Sequence, residues 1–348
     1  MSPYVLTILI SSLGIGTTMT FASSHWLLAW MGLEINTLAI IPLMAQQHHP
    51  RAVEAATKYF LTQATAAAMI LFASTTNAWT SGQWDILQMP NQLTATTIML
   101  ALALKIGLAP AHFWLPEVLQ GLDLTTGLIL STWQKLAPFA LIYQMAPNTN
   151  ATLLITLGVT STLIGGWSGL NQTQLRKILA YSSIAHLGWM ITILHFMPNL
   201  TMLSLATYIL MTSAMFLTAK TMSATKINTL ATTWAKAPAL TALAMLTLLS
   251  LGGLPPLTGF MPKWLILQEL AKQDLPIAAT VMAMSALLSL FFYLRLCYAM
   301  TLTISPNTNN ATSPWRLKSS QTTLPTAITI TASTALLPMT PAILAMTT

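Results

Sequence analysis

Four ionisable side chains stand near the middle of long apolar stretches, far from the ends of those stretches. They are Glu34, Lys105, Lys135 and Lys263. A charged side chain at the centre of a bilayer costs about 2.5–3.5 kcal/mol on insertion scales, so each such residue is a functional candidate by default. Desolvation disfavours the charged form of an amine and a nearby carboxylate favours it, so moving a counter-ion can switch a buried lysine between its two forms. The four residues therefore point to proton transfer within a membrane.

The positions of these residues along the chain suggest how they work together. Glu34 and Lys105 lie in neighbouring parts of the first half of the chain, and we expect them to form a pair. Lys135 and Lys263 are the predicted relay sites of the first and second halves. The alternative is a set of structural ion pairs that only hold helices together, but there are too few buried acids to pair each lysine.

Two histidines are further candidates, because histidine titrates near neutral pH and can shuttle protons. His112 follows Pro110, and His186 lies in an apolar stretch with Ser182 and Ser183, whose hydroxyl groups could hold water. The alternative is that both are hydrogen-bonded packing residues. No two histidines have the spacing of metal ligands, and the single cysteine, Cys297, excludes both an internal disulfide and a cysteine-held cluster. The sequence predicts no metal and no cofactor site in this chain.

The amino-acid composition indicates the environment of these residues. Of 348 residues, 54% are hydrophobic and 6% are charged, whereas soluble domains average about 25% charged residues. So few charges cannot cover a soluble fold, and the bilayer is the natural solvent. The net charge is +7 and no arginine-rich run is present, so we expect membrane lipids rather than nucleic acid as a partner.

Eleven apolar stretches are long enough to cross a bilayer, which takes about 20 residues. With approximate ends they are 3–21, 25–45, 56–78, 93–121, 125–146, 150–170, 175–197, 200–222, 238–270, 275–300 and 321–346. The sequence thus predicts an all-α polytopic membrane protein with about eleven transmembrane helices and no separate soluble domain.

Lysine and arginine predict the orientation of these spans, because they favour the cytoplasmic or matrix side. If the chain crosses eleven times, the side of the N-terminus receives Arg51, Lys58, Arg176, Lys177, Lys220, Lys226, Lys236, Arg316 and Lys318. The other side receives only Lys272. We expect the N-terminus on the matrix or cytoplasmic side and the C-terminus opposite.

The fourth and ninth stretches are unusually long and share an internal motif. Gly107-Leu108-Ala109-Pro110 aligns with Gly253-Leu254-Pro255-Pro256, 146 positions later, and Pro116 then aligns with Pro262. A proline within a helix removes a donor, and the freed carbonyl must face protein or a hydrated cavity. Paired broken helices in corresponding positions are a mark of inverted-repeat transporters. The alternative is that these prolines only kink ordinary helices.

The repeat predicts how the single transmembrane domain, 1–348, is divided. A first five-helix unit spans 1–146, an inverted second unit spans 150–300, and each contains one broken helix. One peripheral helix remains at 321–346.

Three segments carry a family resemblance. They are 104–118 (LKIGLAPAHFWLPEV), 174–186 (QLRKILAYSSIAH) and 252–263 (GGLPPLTGFMPK). Together they are specific, and over the whole chain the sequence resembles the antiporter-like, proton-pumping membrane subunits of respiratory complex I. The chain departs from the fourteen-helix pattern of bacterial members by lacking about three N-terminal helices.

The resemblance implies a function and a set of partners. Family members relay protons along a hydrophilic axis, which would map onto Glu34, Lys105, Lys135 and Lys263, with His112 and His186 beside it. NADH oxidation and quinone reduction take place in other subunits, which would hold NAD, FMN, the iron–sulfur clusters and ubiquinone. The expected partners are the other membrane-arm subunits and lipids. Frequent threonine and 21 methionines favour a mitochondrial origin, hence the inner membrane.

Two other functions fit the same motifs. A stand-alone cation/proton antiporter would share the broken helices and the lysines, and a passive structural subunit would share the fold but conduct no protons. A complex I subunit would purify within a large complex, whereas a stand-alone antiporter would not.

Overall fold

The computed structural model describes residues 2–46, 48–235, 237–302 and 323–347, and all regular secondary structure in those residues is helical. Two isolated backbone bridges, His25 with Asp85 and Gln174 with Lys226, join loops. Contacts between residues divide the chain into two compact units, Met1–Ser161 and Thr162–Thr348. The basic residues Lys236, Arg316 and Lys318, used above to predict orientation, lie outside the described residues.

The first unit contains seven complete α-helices within its described residues. They are α1 (Pro3–Ala22), α2 (Trp26–Met44), α3 (Pro50–Ser81), α4 (Gln92–Ile106), α5 (Trp114–Gly121), α6 (Leu124–Ser131) and α7 (Trp133–Met145). The next helix, α8 (Ala151–Gly169), includes the boundary between the units.

The described residues of the second unit contain the remaining helices. They are α9 (Leu175–Ile193), α10 (Pro198–Thr221), α11 (Ile227–Ala231), α12 (Pro238–Gly252), α13 (Phe260–Lys272), α14 (Pro276–Thr301), α15 (Leu324–Ala335) and α16 (Thr340–Thr347). Proline occupies one of the first two positions of many of these helices, where its missing N–H leaves no hydrogen bond unmade.

Five helices in the described residues are long and apolar enough to cross a membrane. They are α1, α2, α8, α10 and α14. A sixth span results if Leu324–Ala335 and Leu337–Ile343, which are bent by 66° at their junction, count as one. The structure therefore shows an all-helical, multi-pass membrane fold. In its described part the predicted span over 321–346 is not one straight helix, because the chain bends before Pro338.

Both proline-containing breaks are present, and the helix before each of them ends in the same way. The helix before each break ends at a glycine in the left-handed conformation, Gly107 (φ 86°) and Gly253 (φ 80°). The amide of the following residue bonds to the carbonyl five residues earlier, at 2.9 Å after α4 and 3.3 Å after α12. This pattern satisfies carbonyl groups at a helix end. Helical structure resumes at Trp114 and Phe260, again 146 positions apart.

A third break was not predicted from the sequence. The expected span over 125–146 is divided between α6 and α7 at Thr132, whose backbone has φ −112° and ψ −70°. The Thr132 hydroxyl donates to the carbonyl of Leu128 at 2.7 Å. A threonine that bonds back to its own helix in this way often bends the helix. The break places Lys135 in the first turn of α7.

Candidate proton-relay site

A polar pocket lies inside the first unit, between the two breaks of that unit. Its polar lining residues are Asn36, Thr37, Tyr59, Gln63, Lys105, Gln134 and Lys135. The space in which the centre of a water molecule can lie amounts to ≈ 20 Å³, and a site needs about 10–15 Å³ of such space to hold one water. The pocket therefore has room for one or two water molecules among ionisable groups.

Lys105 contributes the first amine to this pocket. It lies in the last turn of α4, directly before the Gly107 break, and is only 6% exposed. Its Nζ has no hydrogen-bond partner among the described residues. Its carbonyl accepts a hydrogen bond from Gln63 Nε2 of α3 at 3.2 Å. A buried amine without a protein partner needs water, because an unsatisfied buried polar group costs about 1–3 kcal/mol or more.

Lys135 contributes a second amine to the same pocket. It is 3% exposed and lies in the first turn of α7, after the Thr132 break. The N-terminal end of a helix disfavours positive charge. The structure thus brings Lys105 and Lys135, which are distant in sequence, to one pocket, and it disfavours permanent charge at Lys135.

Glu34 is placed differently from the prediction. It is half-buried, and its carboxylate accepts a hydrogen bond from the Thr37 hydroxyl at 3.2 Å. It acts electrostatically on Lys105 and Tyr59, but no described acid forms an ion pair with Lys105 within 4 Å. Glu34 and Lys105 therefore form no contact ion pair, and the expected pairing would act across a longer distance. Leu33, one residue earlier, and Thr37, one helical turn later, line the pocket, so Glu34 borders the lining face of α2.

Asn36 is a pocket residue that the sequence analysis missed. It is 2% exposed, and neither Nδ2 nor Oδ1 has a hydrogen-bond partner among the described residues. Gly16 of α1 lies directly against this side chain, so that a Cβ at that glycine would overlap it. The close approach of α1 holds the amide in place. A neutral polar residue in the middle of an apolar stretch, such as Asn36 or Gln63, is the signal that would have found it.

His112 lies in the loop of the first break and not among the lining residues of the pocket. It is buried, and its Nδ1 lies 3.2 Å from the carbonyl oxygen of Pro110. Its ring contacts that of Phe113. These contacts are within its own loop, which fits the packing alternative.

The helix after this break is tied to α3 by an ion pair. Lys58 Nζ lies 2.7 Å from Glu117 of α5 and 2.8 Å from Glu54 of α3. These side chains are about half exposed, and exposed ion pairs contribute about 0–1 kcal/mol. Their role is to orient α5 rather than to stabilise the fold strongly.

In the second unit, Lys263 is held by carbonyl groups. It is 9% exposed and lies in the first turn of α13. Its Nζ donates to the carbonyl of Gly252 at 2.9 Å and lies 3.5 Å from that of Leu251. These are carbonyls at the C-terminal end of α12, which attract positive charge. A Cβ at Gly253 would lie 2.9 Å from this Nζ, so glycine at that position makes the contact possible.

His186 lies in a cluster of buried hydroxyl groups within the second unit. Its ring is 5.7 Å from that of Tyr208, whose hydroxyl hydrogen-bonds to Ser183. The hydroxyls of Ser182 and Ser183 also donate to carbonyls of their own helix, at 2.8 and 2.7 Å. Those bonds occupy the serine protons, so the serines can only accept a hydrogen bond from a water.

Among the described residues, no group of three or more His, Cys, Asp or Glu side chains is arranged to hold a metal ion.

Two family models together match most of the chain. The model described as "NADH:quinone oxidoreductase/Mrp antiporter, TM" matches residues 23–289. The model described as "NADH dehydrogenase subunit 2 C-terminus" matches residues 290–344. The boundary between them lies within α14, so α15 belongs to the second model.

Full-length relatives and solved structures agree with these matches. NADH-ubiquinone oxidoreductase chain 2 of Carassius auratus is 74% identical over 100% of both chains, and that of Oncorhynchus mykiss is 73% identical over 99% of both. A chain of respiratory complex I from Thermus thermophilus superposes with a TM-score of 0.87 at 27% identity, covering 99% of this chain and 80% of that one. A chain of the Mrp complex from Dietzia sp. shares the fold, with a TM-score of 0.79 at 17% identity over 90% of this chain and 64% of that one. The chain belongs to the antiporter-like membrane subunits of respiratory complex I, in the family named NADH-ubiquinone oxidoreductase chain 2.

Proposed function

We propose that this chain relays protons in the membrane arm of complex I, driven by NADH oxidation and quinone reduction in other subunits. The observation that carries the proposal is the pairing of Lys105 and Lys135 on one polar pocket beside broken helices. Two buried amines around one or two waters can exchange a proton over a short path. The chain has one cysteine, so we assign the iron–sulfur clusters, and with them NAD, FMN and ubiquinone, to other subunits.

The relay would begin with a change of charge near Glu34. Its carboxylate acts on Lys105 through space, and a negative charge nearby favours the protonated amine. When that charge is neutralised or moves away, Lys105 releases its proton to pocket water. A water held by Asn36 then passes the proton to Lys135, which the start of α7 disfavours in its charged form.

Lys263 would act in the second unit by a different local mechanism. Its ammonium group is stabilised by carbonyls at the end of α12. Loss of the proton would remove the charge that these carbonyls bind and so loosen the contact between α12 and α13. His186 would be a second relay group of this unit, since it lies beside buried hydroxyl groups.

We also propose the finer arrangement: eleven spans, with 1–146 and 150–300 as inverted five-helix units of one transmembrane domain, and 321–346 as an added helix. The left-handed glycine that ends the helix before each break supports the repeat. A second correspondence supports it too. Gly16 packs against Gly32 and Asn36, and Gly165, 149 positions later, packs against Tyr181 and Ala185, which are also 149 positions later. The distribution of basic residues supports an N-terminus on the matrix side and a C-terminus on the intermembrane-space side of the mitochondrial inner membrane.

The stand-alone antiporter has weaker support. Relatives that match the chain over its full length are named as oxidoreductase subunits, whereas the similarity to the Mrp chain at 17% identity concerns the fold alone.

Lys135→Ala tests the relay against a purely structural role. We expect complex I assembled with this variant to lose most of its NADH-driven proton pumping, measured in proteoliposomes with a pH-sensitive dye. Lys220→Ala is the matched control, since Lys220 is exposed in the last turn of α10. Wild-type pumping by a correctly assembled Lys135→Ala complex would instead support the structural alternative.

A further inference from the structure

Helix α15, near the C-terminus, packs against α12, the helix that precedes the second break. It contacts α10 and α12 within the second unit, and three of its side chains, Thr326, Ile330 and Ser333, are buried. The segment that contains it is matched by a separate family model, which begins at residue 290. The helix is thus an addition to the antiporter-like region with a specific place beside the break.

One hydrogen bond joins α15 directly to the loop of the break. Thr258 lies in the loop between α12 and α13 and is 3% exposed. Its hydroxyl donates to the backbone carbonyl of Ser333 in the last turn of α15. The hydroxyl of Ser333 donates to Ile330 of its own helix at 2.8 Å, so the carbonyl is the group that Ser333 presents to Thr258.

The end of α15 explains why this carbonyl is available. The helix ends at Ala335, and the chain then bends by 66° before Leu337–Ile343. Carbonyls in the last turn of a helix have no partner within the helix. The bend therefore directs an acceptor at the loop of the break.

The same loop is held tightly on its other side. Gly259 approaches the carbonyl of Ser250 so closely that a Cβ would overlap it. Four residues after Gly259, the Lys263 amine bonds to the carbonyl of Gly252. Thr258 lies between these contacts and α15, so its bond to Ser333 opposes movement of the start of α13 away from the end of α12.

The first break is closed in another way. The position equivalent to Thr258, 146 residues earlier, is His112, whose ring bonds within its own loop to Pro110. The position equivalent to Lys263 is Glu117, which pairs with Lys58 of α3. The attachment of a break to a C-terminal helix is therefore a feature of the second unit.

We propose that α15 acts as a strap on the second broken helix, and that Thr258 is the positioning residue through which it holds Lys263 against the carbonyls of α12. The consequence for proton transfer rests on the proposed function, but the restraint on the break does not. Loss of the bond frees the start of α13, and the Lys263 contact opens more often.

Thr258→Val tests the strap, because it removes the hydroxyl at nearly constant volume. One net hydrogen bond corresponds to about a fivefold change in the population of the opened break. In assembled complex I we expect hydrogen exchange of segment 253–259 to become about fivefold faster and the pH profile of NADH-driven pumping to shift. Thr258→Ser should restore both. Thr331→Val is the matched control, since Thr331 is exposed on α15 and bonds to Ala327 of its own helix at 2.9 Å.

Unchanged exchange of this segment in Thr258→Val would overturn the strap. If that variant does not assemble, Thr258→Cys replaces it, because a thiol is a weak donor; a smaller acceleration is then expected, and no acceleration overturns the proposal. Lys263→Ala separates the strap from the relay. Normal pumping by Lys263→Ala together with fast exchange in Thr258→Val removes the relay at this lysine and keeps the strap. Lost pumping by Lys263→Ala together with unchanged exchange in Thr258→Val removes the strap and keeps the relay at this lysine.

Discussion

Asn36→Leu tests whether water in the first-unit pocket carries protons. The substitution replaces the amide by an apolar group with the same branching and the same number of heavy atoms. Neither polar atom of the Asn36 side chain has a partner among the described residues, and Oδ1 faces Gly16 of α1, so we expect the wild-type amide to bind pocket water through Nδ2. Removing a buried polar group that has no protein partner leaves no other protein group unsatisfied. We therefore expect Asn36→Leu to assemble normally and to dehydrate the pocket.

The size of the effect follows from the number of hydrogen bonds lost. One amide–water bond contributes about 1 kcal/mol net, so its loss weakens water binding by about 1 kcal/mol. Since about 1.4 kcal/mol is tenfold in an equilibrium constant, the binding constant of this water falls about fivefold. The pocket holds only one or two waters, so few others can replace this one. Proton transfer between Lys105 and Lys135 falls in proportion.

The assay compares complexes assembled with Asn36→Leu and with a control in liposomes. NADH oxidation is followed by absorbance, and proton translocation is followed with a pH-sensitive dye. Asn199→Leu is the matched control, because Asn199 is exposed in the first turn of α10. We expect pumping to fall about fivefold, in line with the calculated loss of water binding, and Asn199→Leu to pump at the wild-type rate.

Two results would refute this reasoning. Pumping by Asn36→Leu at the wild-type rate would show that protons do not need the water bound there. Failure of Asn36→Leu to assemble, while Asn199→Leu assembles, would show that the amide has a structural role instead.

Two other substitutions test contacts at the breaks. Gly253→Ala should slow pumping and destabilise the second unit by about 1–2 kcal/mol, because the residue has a left-handed backbone and its new Cβ would lie 2.9 Å from the Lys263 amine. Thermal inactivation measures the loss of stability. Gly14→Ala, with no atom near its new Cβ, should have no such effect. Glu117→Gln removes the ion pair to Lys58 and should lower stability by less than about 1 kcal/mol, an effect that added salt diminishes; a large loss at high salt in the same thermal assay would contradict the view that this exposed pair only orients α5.

The two long breaks were predictable because their cause is local. Glycine adopts the left-handed conformation that ends a helix, and proline prevents the helix from continuing. Both residues occur in the same order in the two copies of the motif. The break at Thr132 has no such signal, since serine and threonine occur throughout these helices and only some of them bend their helix. Its consequence, the place of Lys135 at the start of α7, followed only from the structure.

The sequence by itself determined that this is a helical membrane protein with buried ionisable groups. So few charges and such long apolar stretches require a bilayer as the solvent, and in a bilayer these stretches satisfy their backbone hydrogen bonds by forming helices. It also identified Lys105, Lys135 and Lys263 as buried, because a charge amid apolar residues stands out without any knowledge of contacts. Only the tertiary structure decided which groups meet. It placed Lys105 and Lys135 with Asn36 on one pocket, Glu34 at its border, Lys263 on the carbonyls of α12, and α15 against the second break. Those relations depend on distances between residues far apart in the chain, and a linear pattern of residue types contains no such distances.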